Sequence, residues 1–478
     1  MSLSRLGAHL RRRRGPRPRW PPTVPLPCTR ASGTRGFDQS RDYVVGQLRN
    51  AGYAVNVQPF TFPYFQELAP STFERTAPTA RTYEHATDFN TMDFSGSGDV
   101  TGDIVPIDLV LPPGPTPSSN TSGCEAADFA GFPAGAVALV QRGTCTFGAK
   151  AQNAKTAGAS AVVIFNEGQP GRTEALSGTL GDPIDIPVVG TSFDVGNELA
   201  DLAQAGTTTV HVTTSTLSEN RATYNVIADA PSGRADHTVA VGSHLDSVVA
   251  GPGINDDGSG TSQDLEMALQ YAKAVKNPTN HLRFLFFGAE EEGLLGSAAY
   301  VASLSQDQTD EIMAMLDFDM MASPNFARFV YDGDGSDFPG NEGPTGSDII
   351  ESLFTGYWAG RGLASGTIPF DGRSDSVAFT DAGIPSGGIF AGAEGIKSEE
   401  QVAKYGGTAG VAYDKCYHQA CDTLANLNTQ AMGQFADNAA NATARLVMRD
   451  NDLTDNTETL KAKRTTKSQD FKGPQLVR

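Results

Sequence analysis

Short apolar runs that end in polar turns mark the second half of the chain, above all between Val239 and Asp319. There VAVGSHLDS, LRFLFFGAEEEG and MLDFDMM each join an apolar run to a turn that carries His, Asp or Glu. Apolar runs of this length are typical of buried parallel strands, and the carboxyl ends of such strands deliver side chains into a crevice. The pattern therefore predicts a functional site at one edge of a sheet.

Segments with helical spacing alternate with these runs. An amphipathic segment at 37–51 ends at Gly52 and is followed by YAVNVQPFTF, which alternates as a strand does. Further helices are predicted at 259–275, 293–303, 345–360 and 428–448. Strands and helices that alternate predict an α/β fold with a mostly parallel sheet.

The chain between about residues 93 and 216 has a different pattern. Short Val, Ala and Ile runs broken by Gly and Pro include GDIVPIDLVLPPG, AGAVALVQRGTC, ASAVVIFNE and IPVVGTS, together with a small-residue helix, KAQNAKTAGA. One histidine, His211, lies in this stretch, and no cluster has the spacing of metal ligands. We interpret 93–216 as an inserted domain without catalysis of its own.

The insert resembles a protease-associated (PA) domain in VALVQRGTCTFGAKAQNAKTAGASAVVIFNE followed by IPVVGTS. In that family such inserts shape access to a peptidase site or act as spacers, and both roles stay open here. With the insert at 93–216, the predicted catalytic domain is discontinuous and consists of 36–92 and 217–448. Residues 1–35 form a basic segment, and 449–478 form a polar tail.

Charge separates the first segment from the rest of the chain. Residues 1–35 hold nine arginines and no acidic residue, although the net charge of the whole chain is −19. A strongly acidic body argues against a nucleic-acid partner, because phosphate contacts need Lys and Arg. The basic start could contact RNA or a membrane, but RRRRGPRPRWPPTVPLP cannot pack a core, so a disordered or targeting segment is favoured. The sequence contains no run of about 18 apolar residues, so no membrane span is predicted.

The five cysteines favour an oxidising compartment. Cys416 and Cys421 lie close together in a turn-rich loop, Cys124 and Cys145 flank an apolar run, and Cys28 is left over. Such pairs predict two disulfides and a secreted protein, and free thiols in a cytosolic protein are the alternative. A signal peptide is not evident, because no apolar region follows the arginines.

Six residues at the predicted strand ends and in one late loop carry metal-binding chemistry. Two imidazoles and four carboxylates, with no cysteine among them, predict a site for two Zn²⁺ ions. Each residue alone has a plainer interpretation as a structural histidine, a surface turn or a helix N-terminal charge, and only the set is specific. The residues are His244, Asp256, Glu290, Glu291, Asp319 and His418.

Neighbouring carboxylates are expected to support these ligands. Asp246 is placed to accept the second N–H of His244, the usual arrangement around a metal-bound imidazole. Asp257 beside Asp256 is a costly like-charge neighbour unless a cation is near. Asp317 lies on the same strand face as Asp319.

The motifs VGSHLDSVVAGPGINDDGSG, FGAEEEGLLGS, LDFDMMASPN, GRSDSVAFTDAGIP and YHQACD resemble the secreted bacterial di-zinc leucine aminopeptidase family. The resemblance covers about 37–92 and 220–447 and implies a three-layer α/β sandwich around a twisted mixed sheet. SDS at 374–376, where the family more often has S-D-H, and Asp317, where it has a neutral residue, depart from the pattern and leave substrate preference less certain. A calcium ion, present in some relatives, has no motif here.

The resemblance also implies how the metal ligands are shared. His244 with Asp319 would bind one ion, Glu291 with His418 would bind the other, and Asp256 would bridge both.

The same resemblance implies the catalytic roles. Glu290 would act as general base and acid, and Tyr417 would hydrogen-bond the oxyanion of the tetrahedral intermediate. The backbone near Arg373, with Glu290 and Asp319, would receive the free α-amine of the substrate.

The function that these features predict is a zinc aminopeptidase that removes apolar N-terminal residues such as Leu from peptides or proteins. The chain is expected to act as a monomer. One alternative is another zinc hydrolase on the same scaffold, such as a carboxypeptidase or an aminoacylase. A non-catalytic binding protein with a PA domain is the second alternative, although no ligand residue is missing here.

Overall fold

The computed structural model describes residues 29–453 of the 478-residue chain. In chain order the helices and strands are α1 (Arg35–Asn50), β1 (Ala54–Ala77), β2 (Arg81–Thr82), β3 (Phe89–Thr91), β4 (Gly98–Pro106), β5 (Val137–Gln141), α2 (Phe147–Thr156), β6 (Ala161–Phe165), β7 (Val188–Thr191), α3 (Phe193–Ala205), β8 (Thr209–Asp229), β9 (Arg234–His244), α4 (Gly258–Ala274), β10 (Asn280–Phe287), α5 (Leu295–Ala302), α6 (Gln306–Asp310), β11 (Ile312–Phe318), β12 (Phe329–Tyr331), α7 (Ser347–Ala359), β13 (Gly366–Ile368), α8 (Ser376–Asp381), β14 (Ser386–Phe390), α9 (Glu399–Tyr405) and α10 (Thr429–Val447).

The described residues form two compact units. The first contains the chain up to Phe60 and from Ala222 onward, and the second runs from Thr61 to Arg221. The insert was predicted to begin at residue 93, about 30 residues later than the second unit does. The reason is that β1 does not end after YAVNVQPFTF but continues to Ala77, so its second half belongs to the second unit.

The first unit is built on a mixed sheet with the strand order β13-β12-β14-β11-β9-β10-β8. Its four inner strands, β14, β11, β9 and β10, are parallel to one another. Strand β8 pairs antiparallel with β10, and β12 pairs antiparallel with β14. The predicted alternation of apolar runs and helices therefore produces a sheet that is parallel at its centre.

Both faces of this sheet are covered by helices. Val239 and Val241 of β9 belong to a core that contains Phe37 of α1, Trp358 of α7 and Phe435 of α10. Ala240, between the two valines, belongs to a second core on the opposite face, because successive side chains of a strand point to opposite faces. That second core includes Tyr300 of α5 and Phe379 of α8. The predicted three-layer α/β sandwich is confirmed.

Several helices begin where the sequence supplies a capping side chain. Thr34 accepts the backbone N–H of Phe37 at the start of α1, and Asn428 accepts two backbone N–H groups at the start of α10. The helices predicted at 37–51, 259–275, 345–360 and 428–448 are present within about two residues of their expected ends. Among the helices between residues 29 and 453, none combines the length and hydropathy of a membrane span.

The second unit contains strands and two cores of its own. Strands β8, β4, β5, β6, β7 and β3 follow one another, and β4, β5, β6 and β7 are parallel neighbours. Val163 and Leu199 of α3 belong to one core, whereas Val162 and Ala151 of α2 belong to the other. The predicted order of strand, cysteine turn, helix and strand is confirmed, and Cys124 and Cys145 form a disulfide.

Some residues of both predicted terminal segments pack against the first unit. Residues 1–28, including Cys28, and 454–478 lie outside the described residues. Within the predicted basic segment, however, Thr29–Ser32 is ordered, and the Arg30 side chain donates to backbone carbonyls of 245–253. Within the predicted polar tail, Leu453 is buried in the first unit's core. Composition alone does not report such packing of flanking residues.

Candidate active site

The candidate site lies in the first unit, at the carboxyl ends of three parallel strands. His244 is the last residue of β9, Glu290 and Glu291 follow β10, and Asp319 follows β11. Asp256 lies in the turn before α4. Because parallel strands end at the same edge of a sheet, residues far apart in the chain meet there.

His244 is the centre of a first group of ligand-type atoms. Its Nε2 lies 3.2 Å from Oδ1 of Asp256 and 3.6 Å from Oδ1 of Asp319. The ligand atoms of these three residues all lie within 4.8 Å of one another. Nearly complete burial of His244 means that water cannot replace these partners.

His418 is the centre of a second group. Its Nε2 lies 2.9 Å from Oε2 of Glu291 and 3.1 Å from Oδ2 of Asp256. Asp256 therefore directs one carboxylate oxygen to each imidazole. The structure brings together all five residues that the resemblance implied as ligands, in the two groups expected.

Several atoms of this cluster lack hydrogen-bond partners although they are buried. Both ring nitrogens of His244, Oδ2 of Asp256 and Oδ1 of Asp319 are in this position. A buried polar atom without a partner is costly, and native proteins rarely leave one. Cations held between the two groups would satisfy these atoms, and a donor set of imidazole and carboxylate without thiolate fits zinc.

The electrostatics of the cluster also require positive charge. Burial alone lowers the pKa of His244, but the neighbouring carboxylates, Glu290 foremost, outweigh it and hold the pKa well above its usual range. Burial likewise lowers the pKa of His418, and Glu291 with Asp256 raises it to about 10. The carboxylates therefore favour a proton on each imidazole or a metal ion in its place.

Glu290 belongs to the cluster without joining either group. Its Oε2 lies 3.8 Å from Nε2 of His244, and its carboxylate faces the cavity beside the ligands. Burial, together with the carboxylates of Glu291, Asp375 and Asp319, raises its pKa well above the usual value against the opposing effect of His244. This carboxylate can exchange a proton with a molecule held in the cavity.

Tyr417 and Arg373 form the other wall of the cavity. The phenol ring of Tyr417 stacks on the His418 ring with centroids 3.8 Å apart. Arg373 donates to Oη of Tyr417 at 3.3 Å and to Glu394 at 2.8 Å. The resemblance implied a role for the backbone near Arg373, and the structure adds one for its side chain, which holds the phenol.

An apolar pocket adjoins the ligand groups in the same cavity. Side chains without charge form this part of the wall, and the rest is formed by Asp256, Glu290, Glu291, Asp319, Asp371, Arg373, Tyr417 and His418. A site with an apolar pocket and a few convergent polar groups is typical of an enzyme that binds an apolar side chain. The apolar part is lined by Met320, Tyr331, Ile368, Pro369, Phe390 and Ala393.

Known proteins match this chain along nearly its whole length. The family model of peptidase family M28 matches residues 225–443, and that of the PA domain matches 100–199. An aminopeptidase of Pseudomonas aeruginosa is 47% identical over 420 residues, which is 87% of this chain and 77% of that protein. A probable leucine aminopeptidase 2 of Aspergillus oryzae is 40% identical over 409 residues, 84% of this chain and 77% of that protein.

The chain belongs to peptidase family M28. It is a metallo-aminopeptidase of that family with a PA domain, so the predicted family and reaction class are confirmed, and the alternatives of another hydrolase or a binding protein are not favoured.

Solved structures agree with this family. The aminopeptidase from Aneurinibacillus sp. strain AM-1 matches with a TM-score of 0.65 and 28% identity over 89% of this chain and 92% of that chain. A zinc aminopeptidase from Bacillus subtilis matches with a TM-score of 0.57 and 25% identity over 88% and 91%.

In this M28 peptidase Asp246 lies between the His244 imidazole and the turn after β10. Its Oδ1 lies 3.7 Å from Nδ1 of His244, which is longer than a hydrogen bond. Instead, its two carboxylate oxygens accept the backbone N–H groups of Glu290 and Glu291 at 3.2 and 3.4 Å. The Asp246 carboxylate thus faces His244 as predicted, at ion-pair rather than hydrogen-bond distance, and also holds the turn that carries Glu290 and Glu291.

Asp257 and Asp422 accept hydrogen bonds from backbone N–H groups in the segments that carry ligand residues. Asp257 caps α4 by accepting the N–H of Gly260 and also accepts the N–H of Met320, directly after Asp319. Asp422 accepts the N–H of Asp256 at 3.0 Å. Sequence analysis missed Asp422, although its place four residues after His418 in the same loop was a signal that could have found it.

Asp317 and the SDS stretch at 374–376 both depart from the family pattern, and they contact each other. Oδ2 of Asp317 accepts the hydroxyl of Ser374 at 2.6 Å and the backbone N–H of Ser376 at 2.8 Å. Burial raises the pKa of Asp317 to about 6. Asp317 therefore holds the loop at 374–376 against strand β11.

Cys416 and Cys421 form the predicted disulfide around Tyr417 and His418. The bond closes the short loop that carries both residues, and φ of His418 is 57°, in the left-handed region that non-glycine residues seldom adopt.

We expect Cys416→Ser with Cys421→Ser to lower the affinity for zinc by roughly 10- to 100-fold, because the loop is then free to carry His418 away from Glu291. Zinc titration monitored by activity measures the change. The double variant of Cys124 and Cys145, in the other unit, is the matched control and should bind zinc as the parent does. Equal zinc affinity in both double variants would contradict a role for the loop.

Proposed function

We propose that this M28 peptidase binds two Zn²⁺ ions and uses them to remove apolar N-terminal residues, such as Leu, from peptides and proteins. The observation that carries the proposal is the position of Asp256, whose two oxygens face His244 and His418 at 3.2 and 3.1 Å. Under this proposal His244, Asp256 and Asp319 hold one ion. Asp256, Glu291 and His418 hold the other. The printed description of the Bacillus subtilis relative as a zinc aminopeptidase supports the choice of metal.

Two zinc ions, when bound, supply Lewis-acid activation of a water molecule and of the scissile carbonyl. Glu290 is proposed as the base that takes the proton of this water. The same carboxyl group then protonates the leaving amine, a role that suits a carboxylate beside the ligands but outside both groups. Burial raises the pKa of Glu290, which favours the protonated form that the second half of this cycle needs.

Tyr417 is proposed to donate a hydrogen bond to the developing oxyanion. A guanidinium donates hydrogen bonds and accepts none, so the contact from Arg373 to Oη of Tyr417 occupies a lone pair of the phenol oxygen. The phenolic hydrogen is then left to point into the cavity. A donor placed in advance at an oxyanion typically contributes about 10²- to 10³-fold to turnover.

The walls of the cavity support the proposed preference for a free, apolar N-terminus. Carboxylates of Glu290 and Asp319 line the cavity and would receive a cationic α-amine. Ile368 and Phe390 belong to the apolar pocket that would take the first side chain. The curated relatives described as leucine aminopeptidases agree with this preference.

The decisive experiment compares leucine p-nitroanilide with its N-acetyl form. We expect rapid cleavage of the free amine and at least about 10²-fold slower cleavage of the acetylated compound, because acetylation removes the positive charge that Glu290 and Asp319 would bind. Metal content per chain, with activity before and after chelation, provides the second measurement, and two zinc ions are expected. Release of acetate from the acetylated compound, with no p-nitroaniline released from the free amine, would instead identify an aminoacylase.

The remaining proposals concern the setting of the enzyme. The two disulfides support secretion into an oxidising compartment. We propose that the enzyme works as a monomer with the catalytic domain at about 36–92 and 217–448 and the PA domain at 93–216. The matches to the family models at 225–443 and 100–199 support this division.

A further inference from the structure

Arg30, five residues before helix α1, lies half-buried against the loop that connects His244 to Asp256. Its guanidinium donates to backbone carbonyls at both ends of that loop, and its backbone N–H donates to Oγ of Ser247 at 2.9 Å. One side chain therefore fixes most of the loop's irregular backbone. The carbonyls are those of Leu245 at 3.1 Å, Asp246 at 2.9 Å, Pro252 at 3.0 Å and Gly253 at 2.6 Å.

The charge of Arg30 acts on the same region. Its strongest electrostatic partners, apart from the effect of burial itself, are Asp257, Asp246, Asp422 and Asp256. A guanidinium keeps its charge inside proteins, so Arg30 places a permanent positive charge behind the carboxylate proposed to bridge the ions. A lysine would keep the charge but could not reach four carbonyls at once, because its donors radiate from a single nitrogen.

Ser32 makes the equivalent contact to the turn that carries Glu290 and Glu291. Its Oγ accepts the backbone N–H of Ala289 at 2.7 Å and the hydroxyl hydrogen of Thr223 at 3.0 Å. The φ angle of Ala289 is 54°, which is costly for a residue with a Cβ and persists only where neighbours hold it. The bond from Ser32 is one such restraint, applied one residue before Glu290.

We propose that Thr29–Ser32, the N-terminal strap, is a working part of the active site, and that Arg30 and Ser32 are positioning residues. Arg30 acts on the metal ligands through the loop 245–253, and Ser32 acts on Glu290 through the turn at Ala289. The inference rests on the proposed function, since it assumes the ligand and base roles given above. It goes beyond those roles because a segment outside every motif of the site is inferred to position the ligands and Glu290.

The test uses Arg30→Met, Arg30→Lys and Ser32→Ala in the full chain, with Arg41→Met as the control. Arg41 also lies near the start of the chain, but its guanidinium pairs with Asp38 and Asp42 of α1 and stacks on the ring of Tyr224. Zinc affinity is measured by competition with a chelator. The kcat and KM values for leucine p-nitroanilide are measured at saturating zinc, below the unfolding temperature of each variant.

Arg30→Met is expected to weaken zinc binding by about 10- to 100-fold, the usual effect of removing a group that orients metal ligands. Arg30→Lys should recover part of that affinity through its charge. Ser32→Ala should lower kcat more than it changes KM, because the displaced group is Glu290 rather than the pocket. The control should match the parent in all three quantities.

Two results would overturn the proposal. In the first, Ser32→Ala and both Arg30 variants lower only the unfolding temperature, with zinc affinity and kcat as in the parent, so the strap is structural. In the second, Arg41→Met loses as much as Arg30→Met. If Arg30→Met does not fold, the Lys and Ala variants decide. Failure of the proposed function shows separately, as a parent enzyme that binds no zinc or leaves the substrate uncut.

Discussion

Replacement of Glu290 by Gln should remove most turnover and leave metal binding intact. The amide cannot accept the proton of the attacking water or return it to the leaving amine, and loss of a general base typically costs 10²- to 10⁴-fold in rate. Metal binding is expected to survive because Glu290 belongs to neither ligand group. The measurements are kcat for leucine p-nitroanilide and zinc content per chain.

Glu292→Gln is the matched control for this experiment, since it removes the same charge two residues further along. Glu292 is absent from both ligand groups and from the cavity lining, so this variant should keep kcat within about threefold of the parent. Near-normal turnover of Glu290→Gln would remove Glu290 from its role as base. Loss of zinc from that variant would make it a ligand instead.

Asp256→Asn should have a still larger effect, because both ligand groups share this one carboxylate. An amide carries no negative charge and offers one oxygen instead of two, so it cannot serve both groups. Loss of the metal pair forfeits several kcal/mol of transition-state stabilisation, which corresponds to about 10³-fold or more in kcat. We expect fewer than two zinc ions per chain and almost no activity at any zinc concentration.

The control for this variant is Asp334→Asn, which belongs to a separate group of acidic residues with Asp332 and Glu351. It removes the same charge at an exposed position and should retain zinc and turnover. If Asp256→Asn binds two zinc ions as tightly as the parent does, Asp256 is not a bridge, and the two-ion arrangement must be abandoned.

Much of the fold was predictable because it depends on the pattern of apolar residues within each short segment. The alternating faces of β9 follow directly from Val239, Ala240 and Val241, whose side chains enter different cores. The long strand β1 was predicted too short, because its exposed second half lacks the apolar pattern that marks a buried strand. Because the second half of β1 belongs to the second unit, that unit begins before the insert predicted at 93–216.

The candidate site was predictable for a related reason. His244, Glu291 and Asp319 each stand at the end of an apolar run, and a charged residue there is conspicuous in the sequence. Asp422 and Arg30 were missed because they act on backbone atoms, and a contact to a carbonyl or an N–H group leaves no pattern of residue types.

The sequence by itself determined the family, the layered fold, the chemistry of the ligand set and the two disulfide pairs. These depend on residue types and on spacing along the chain. The tertiary structure alone decided that Asp256 faces both imidazoles, that Asp246 also holds the turn after β10, and that Arg30 holds the ligand loop. The physical reason is that these contacts join residues up to 223 positions apart, and only packing determines which of several nearby donors a carboxylate or carbonyl meets.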